Sequence, residues 1–266
     1  LQELGYNVYV WDPITTKEPP QLSFDVLISW TNTPFDITKI DAKKKVLYYL
    51  EDYEYISRII EESHIDNLIR GYDFVFTVNK LDGYEDAWLP IGCDEEVHHI
   101  VDINQAENVV LFVGTIRDPD RRDFVVELGE RLKEHGFRLF VVGNNGEGIE
   151  EWLGRAFYFK DYNDILNQVK VVVNKHVGRF SPSDKVHCIT GSGKALLIND
   201  DLQGYKECYP NAPTWKDMDD CISKIKYYME NEEERIKLVK EMNDICYEKF
   251  TYKKQLQHLM EEIELG

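Results

Sequence analysis

One pattern constrains this chain more than any other: from Asn108 onward, short runs of apolar and β-branched residues stop on glycine or asparagine and give way to a helical period. Val109–Val113 ends in Gly114 and Thr115, Arg138–Val142 ends in Gly143, and the run 169–174 leads into Lys175 and His176. Between the first two, residues 121–135 carry apolar side chains at helical spacing and close on Gly136. Continuous apolar runs of this length suit strands covered on both faces, and strands alternating with helices imply a parallel sheet with right-handed crossovers. A short run at 157–159, a helix from about Tyr162 and a strand at 195–199 extend the series, and 217–263 reads as helix with charged faces.

The first half shows the same alternation less cleanly. Strands are expected at 6–10, 26–29, 46–50 and 74–78, with a short run at 88–91. A helix is expected over 53–70, where Ile56, Ile59, Ile60, Ile65, Leu68 and Ile69 recur at helical spacing, with a break near Ser63 and His64. Leu1 and Leu4 followed by Gly5 resemble the last turn of a helix, so a βα unit of about 20 residues is expected before Leu1. The polar stretch 94–108 is the natural boundary. The expected organisation is an N-terminal Rossmann-like domain over 1–104 lacking its first βα unit, a C-terminal Rossmann-like domain over 105–250, and a helical C-terminus, 251–266, returning toward the first domain.

Composition removes several classes of function. The chain carries 31 basic against 49 acidic residues, a formal charge of -18, which disfavours a broad phosphate-tracking surface, although a local basic pocket for a small anion stays open. No stretch approaches the roughly 18 uninterrupted apolar residues of a membrane span, and no signal-peptide layout opens the sequence. Cys93, Cys188, Cys208, Cys221 and Cys246 show neither disulfide-framework nor zinc-ligand spacing. A reducing compartment follows as the expectation: the cytoplasm, or a host's cytoplasm if the chain is viral.

Ligands of open parallel sheets bind beyond the carboxyl ends of strands, where helix N-termini point their N–H groups outward. That rule selects Gly114, Thr115, Arg117, Arg121 and Arg122, where glycine permits close approach and guanidinium groups at a helix start favour phosphate; an ordinary βα turn with surface arginines is the alternative. It also selects Gly143 and the segment after the next buried run: Asn174, Lys175, His176, Arg179, Ser181, Ser183, Lys185 and His187. Lys175, Arg179 and Lys185 could form a local positive pocket, or simply be solvated. Thr190-Gly191-Ser192-Gly193-Lys194 imitates a phosphate loop but lacks its first glycine, where Cys188 stands, and its hydroxyl residue, where Ala195 stands; it also precedes a strand, so it reads as a helix end and turn. Motifs for serine hydrolases, zinc peptidases and calcium loops are missing. In the first half His64 beside Glu61 and Glu62, and Glu51 and Asp52 after a strand, are candidate bases; surface or capping roles compete with that reading.

The segments YDFVFTVNKLDGYEDAWLPIGCDEEVHH, NVVLFVGTIRDPDRRDFVVELGERLKEHGFRLFVVG, VKVVVNKH with SPSDKVHCITGSGKALLIND, and the ending KFTYKKQLQHLM resemble, in order and spacing, the spore-maturation-type glycosyltransferases of GT-B fold. The resemblance runs from about Leu47 to Leu259. It implies two Rossmann-like domains facing across a cleft and a sugar moved from a nucleotide-diphosphate sugar to an acceptor hydroxyl, with no bound metal and no cofactor beyond the donor. It places the donor against the C-terminal half, with Gly114 and Thr115 toward its phosphates and Lys185 where the family carries a diphosphate-holding arginine. The chain departs from the family where a ribose-holding glutamate belongs: Lys185-Val186-His187-Cys188 puts a thiol there, and a thiol cannot accept two ribose hydroxyls as a carboxylate does.

The leading expectation is a transferase in which Arg117, Lys175 and Lys185 hold the diphosphate and Asp52 or His64 acts as base. Cys188 motivates the alternative of a non-catalytic GT-B module that binds a nucleotide or a partner. The acceptor is left open among a glycan, a protein and a modified base in DNA; charge disfavours the last, with Lys39 and Lys43 to Lys45 the only nearby basic cluster.

Overall fold

The structure is a computed structural model and describes residues 1–10, 18, 21–30, 39–49, 71–78, 88–154, 160–176 and 182–265. After a short 3-10 turn, Gln2–Leu4, the described elements in chain order are β1 (Ser23–Trp30), β2 (Asp41–Tyr49), β3 (Phe74–Thr77), β4 (Val109–Val113), α1 (Pro119–Glu134), β5 (Arg138–Val142), α2 (Lys160–Asn167), β6 (Val171–Asn174), α3 (Asp184–Ser192), β7 (Leu196–Asp200), α4 (Gln203–Cys208), β8 (Thr214–Trp215), α5 (Met218–Glu230), α6 (Glu232–Lys249) and α7 (Tyr252–Leu265). They fall into two compact units, Leu1–Ile91 with Lys253–Gly266, and Gly92–Tyr252. The expected strand at 157–159, the helix at 53–70 and the candidate residues Glu51, Asp52, Glu61, Glu62, His64, Arg179 and Ser181 lie outside the described residues.

The second unit is built on a parallel sheet of order β5-β4-β6-β7-β8. In the unit's own sequence order this is 2-1-3-4-5, a doubly wound arrangement whose order reverses between β4 and β6. Every residue of β4 and of β6 is buried, which is why both read as uninterrupted apolar runs. Their register pairs Val110 with Val171 and Phe112 with Val173, so the two strands end side by side.

Helix α1 is specified at both ends. Asp118 caps it by accepting the Arg121 N–H at 3.0 Å, with Pro119 at the first helical position. At the other end Gly136, at φ 80°, donates to the Lys133 carbonyl while Phe137 donates to that of Leu132, the paired bonds of a Schellman stop. Phe124, Val125, Leu128 and Leu132 form its buried stripe. Gly193, at φ 79°, ends α3 in the same left-handed conformation, so Thr190 to Lys194 is indeed a helix end and turn. The polar stretch 94–108 belongs to this unit: Asn163 and Asn167 donate to the His99 carbonyl, and Asn167 Oδ1 accepts the Val101 N–H. All five cysteines are buried free thiols.

The first unit holds a parallel sheet of order β1-β2-β3. Its core joins Val46, Tyr48, Phe76, Val78 and Leu89 to Leu259, Met260 and Ile263 of α7. Strand β2 begins five residues before the expected one, because Lys43 and Lys44 are accommodated within it: Lys43 pairs with Asp25, and Lys44 donates to the carbonyl of Ile263 in the last turn of α7, where a cation is favoured. Two expectations fail here. Residues 6–10 alternate like a strand but form no ladder and are exposed, and 88–91 contributes only a single bridge between Thr77 and Trp88. Among the described residues, no helix is long and apolar enough to cross a membrane.

Candidate functional site

The carboxyl ends of β4 and β6, at the reversal of strand order, are where an open parallel sheet receives a ligand. Each element brings a polar group there. From the start of α1, the buried Arg121 sends its guanidinium back over the strand ends, donating from Nη1 to the Thr115 carbonyl at 3.1 Å and from Nη2 to the Lys175 carbonyl. From the first turn of α3, Lys185 turns its ammonium inward and donates to the Val113 carbonyl at 3.1 Å.

Both cations close on Gly114. A methyl group on that residue would stand 3.2 Å from Lys185 Nζ and 3.5 Å from Arg121 Nη1. The backbone behind is tighter still: a Cβ on Gly143 would lie 1.8 Å from the Gly114 carbonyl oxygen, so position 143 must be glycine for β4 and β5 to end together. Trp152 locks the β5 side by donating to the Gly143 carbonyl at 2.8 Å.

A cation this close to Lys185 disfavours its protonated form. Burial, and after it the charge of Arg121, pushes the Lys185 ammonium down to about 7, and burial lowers Arg121 as well. Neither has a direct carboxylate partner among the described residues. The carboxylate that partly offsets both, Asp200 at the end of β7, is committed to His176, accepting its backbone N–H at 2.9 Å and facing its Nδ1 at 2.9 Å. The neighbourhood also holds polar atoms with no partner among the described residues: Arg121 Nε, Asn174 Oδ1 and Ser183 Oγ. Buried groups left open in this way are rare enough to require an explanation, and a bound anion with hydroxyl groups supplies one.

Of the residues selected from sequence, Gly114, Arg121, Gly143, Asn174, His176, Ser183 and Lys185 are gathered at these strand ends. Lys175 is near them, but its ammonium donates to the Asp120 carbonyl at 3.1 Å and lies 5.2 Å from the centre of the Phe124 ring. Thr115 and Arg117 are exposed. His187 and Cys188 point elsewhere. His187 is fully buried, with Nδ1 2.8 Å from the Tyr209 hydroxyl and its ring against Phe250, and burial pushes the Cys188 thiol up. Sequence reasoning missed Asp200 and Asn199, although both end a buried run and the same carboxyl-end rule would have found them. A separate open cavity of about 620 Å³ lies against Tyr6, Tyr9, Ser23 and Phe24, at the amino end of β1, where such sheets do not bind ligands.

Paired parallel sheets of this kind, with the helical C-terminus, define the GT-B class, and solved structures bear this out. A glycosyltransferase from Rickettsia africae superposes with a TM-score of 0.65 at 11% identity, covering 89% of this chain and 75% of that one. Sucrose-phosphate synthase from Thermosynechococcus elongatus gives 0.62 at 12% identity over 86% of this chain and 69% of that one. An α-glucosyltransferase, solved with UDP and a 13-mer DNA containing an HMU base, gives 0.64 at 12% identity over 90% and 79%. Residues 121–261 match the family described as glycosyl transferase-like, more than half of the chain, and the chain belongs to that family of glycosyltransferases. No curated protein matches it.

Proposed function

We propose that this glycosyltransferase takes a nucleotide-diphosphate sugar as donor and seats the diphosphate on Arg121, Lys185 and the bare backbone of Gly114. The observation that carries the reading is the convergence of the buried Arg121 and the part-buried Lys185, neither ion-paired among the described residues, on one glycine at the switch point of the second sheet. As the bond from the sugar's anomeric carbon to the diphosphate oxygen breaks, its electron pair stays on that oxygen, and the two cations and the N-terminus of α3 lie where they would offset the growing negative charge. This division of labour calls for no metal. Arg121 takes the role that sequence gave to Arg117, because it is held at the strand ends while Arg117 is exposed. The acceptor hydroxyl loses its proton to a base of the first half, Asp52 or His64, if the reaction inverts.

Within the class, the ordered motifs from Leu47 to Leu259 favour the spore-maturation type, whose ribose-binding glutamate is replaced by Cys188. Burial of that thiol favours a donor whose ribose is held by other groups, and Ser183 Oγ and Asn174 Oδ1 are open for that purpose. A base in DNA is a poor acceptor for this chain, since Lys43 and Lys44 of the basic cluster near the first half's sheet are engaged by Asp25 and by the end of α7.

Incubation with a panel of uridine, guanosine and thymidine diphosphate sugars, with mass detection of released nucleoside diphosphate, tests the assignment. Release from one donor, lost in Lys185→Met, is the expected result. Binding without release from any donor, in the presence of glycan and protein acceptors, would convert the assignment to that of a non-catalytic module.

A further inference from the structure

The imidazole of His176 is gripped on three sides. The register that pairs Asn174 with Asn199 sets His176 and Asp200 just past the ends of adjacent strands, and both oxygens of Asp200 are used on His176, one on its N–H and one on Nδ1, each at 2.9 Å. The ring is almost wholly enclosed, its side chain 6% exposed. Its remaining nitrogen, Nε2, receives the backbone N–H of Ser183 at 3.4 Å, and Ser183 is the residue that caps α3 two positions before Lys185. A carboxylate only accepts, so Asp200 draws the proton to Nδ1; Asn174 Nδ2 also lies against the ring, 3.1 Å from Nδ1 and 3.5 Å from Nε2, and Nε2 is left to accept from Ser183.

From this geometry we infer that His176, oriented by Asp200, is a positioning residue that fixes the first turn of α3 and so holds Lys185 over Gly114, without itself contacting the donor. The inference rests on the donor-site reading above for its purpose but not for its structural content. The charged groups that act on the imidazole are Asp200 from β7, Lys185 from α3 and Arg121 from α1. Burial holds it below the ordinary histidine value, Asp200 opposes that shift, and the two cations reinforce it. The neutral form is the one that can accept from Ser183; on protonation Nε2–H would face N–H and the contact would be lost. Because the folded value is depressed, the contact is intact at neutral pH and weakens as pH falls below the ordinary value of about 6.5.

Three variants and two readouts test this. Hydrogen exchange at the Ser183 and Lys185 amides, and calorimetric titration with inorganic pyrophosphate, are measured in the wild type, His176→Ala, His176→Gln and Asp200→Asn. A glutamine amide offers a donor and an acceptor at nearly the spacing of the two imidazole nitrogens and does not titrate. His176→Ala and Asp200→Asn should each speed exchange at Ser183 and weaken pyrophosphate by about tenfold, and His176→Gln should restore both to within about threefold. Ser183 protection should fall as pH is lowered below the ordinary histidine value of about 6.5 in the wild type and stay flat in His176→Gln. Unchanged exchange in His176→Ala, failure of glutamine to rescue, or wild-type pyrophosphate affinity in His176→Ala would each overturn the inference. Absence of pyrophosphate binding by the wild type, with the exchange pattern as expected, would instead overturn the donor-site reading and leave the placement of α3 by His176 standing.

Discussion

In the proposed donor site Lys185 is the residue on which the chemistry would turn, because its charge is conditional. Its ammonium is pushed down to about 7, so near pH 8 it is mostly neutral in the unliganded protein. A diphosphate placed beside it restores the charge, and binding should therefore take up close to one proton at about pH 8. Calorimetry in two buffers of unlike ionisation enthalpy reads this directly; equal heats in both would contradict it, and Lys185→Met should abolish the difference. Stability carries the same signature. The folded value lies below the unfolded one, so the unfolded chain binds more protons between about pH 7 and about 10.4, and the unliganded protein should gain stability as pH rises through that window. A melting temperature that falls over the same range, after comparison with Lys185→Met, would contradict the placement of this ammonium.

At the scale of elements, two glycines separate architecture from function. Gly136 ends α1 at φ 80° with open space around it, so Gly136→Ala should lower stability by about 1 kcal/mol through backbone strain while leaving nucleotide affinity unchanged. Gly143 packs on Gly114, and Gly143→Ala should cost about 1–3 kcal/mol and weaken nucleotide binding as well, because the end of β4 must move. Urea titration with and without nucleoside diphosphate distinguishes the two; loss of affinity in Gly136→Ala would break the distinction. The same elements show what the sequence could disclose. Strands β4 and β5 were legible to the residue, since β4 is wholly buried and each run is punctuated by glycine. Strand β2 was obscured by Lys43 and Lys44, whose partners come from β1 and α7. Residues 6–10 misled because alternation reports a face, not the presence of a neighbouring strand. The site followed a similar rule. Gly114, Arg121 and Lys185 follow from strand ends and helix starts, whereas His187 and Cys188 share the helix of Lys185 but are turned into the interior by the helical period. Asp200 stands at the end of a buried run and was open to the same rule, but its pairing with His176 depends on a strand register that sequence alone does not reveal.

For the whole molecule, a formal charge of -18 makes a paired cation site exceptional rather than one of many. The family match starts at Arg121 and spans Lys185, so it covers both members of the cation pair, while Gly114, on which they close, lies before it. With Lys43 and Lys44 engaged internally, duplex DNA should show no measurable association in fluorescence anisotropy at physiological salt, and micromolar binding with a steep salt slope would contradict that expectation. The central claim is the location of the donor diphosphate, and the most direct test is a crystal structure with a nucleoside diphosphate bound. The diphosphate should lie within about 3 Å of Lys185 Nζ and against the backbone of Gly114, at the carboxyl ends of β4 and β6. A diphosphate found ordered anywhere else, with Arg121 and Lys185 untouched, would contradict the assignment.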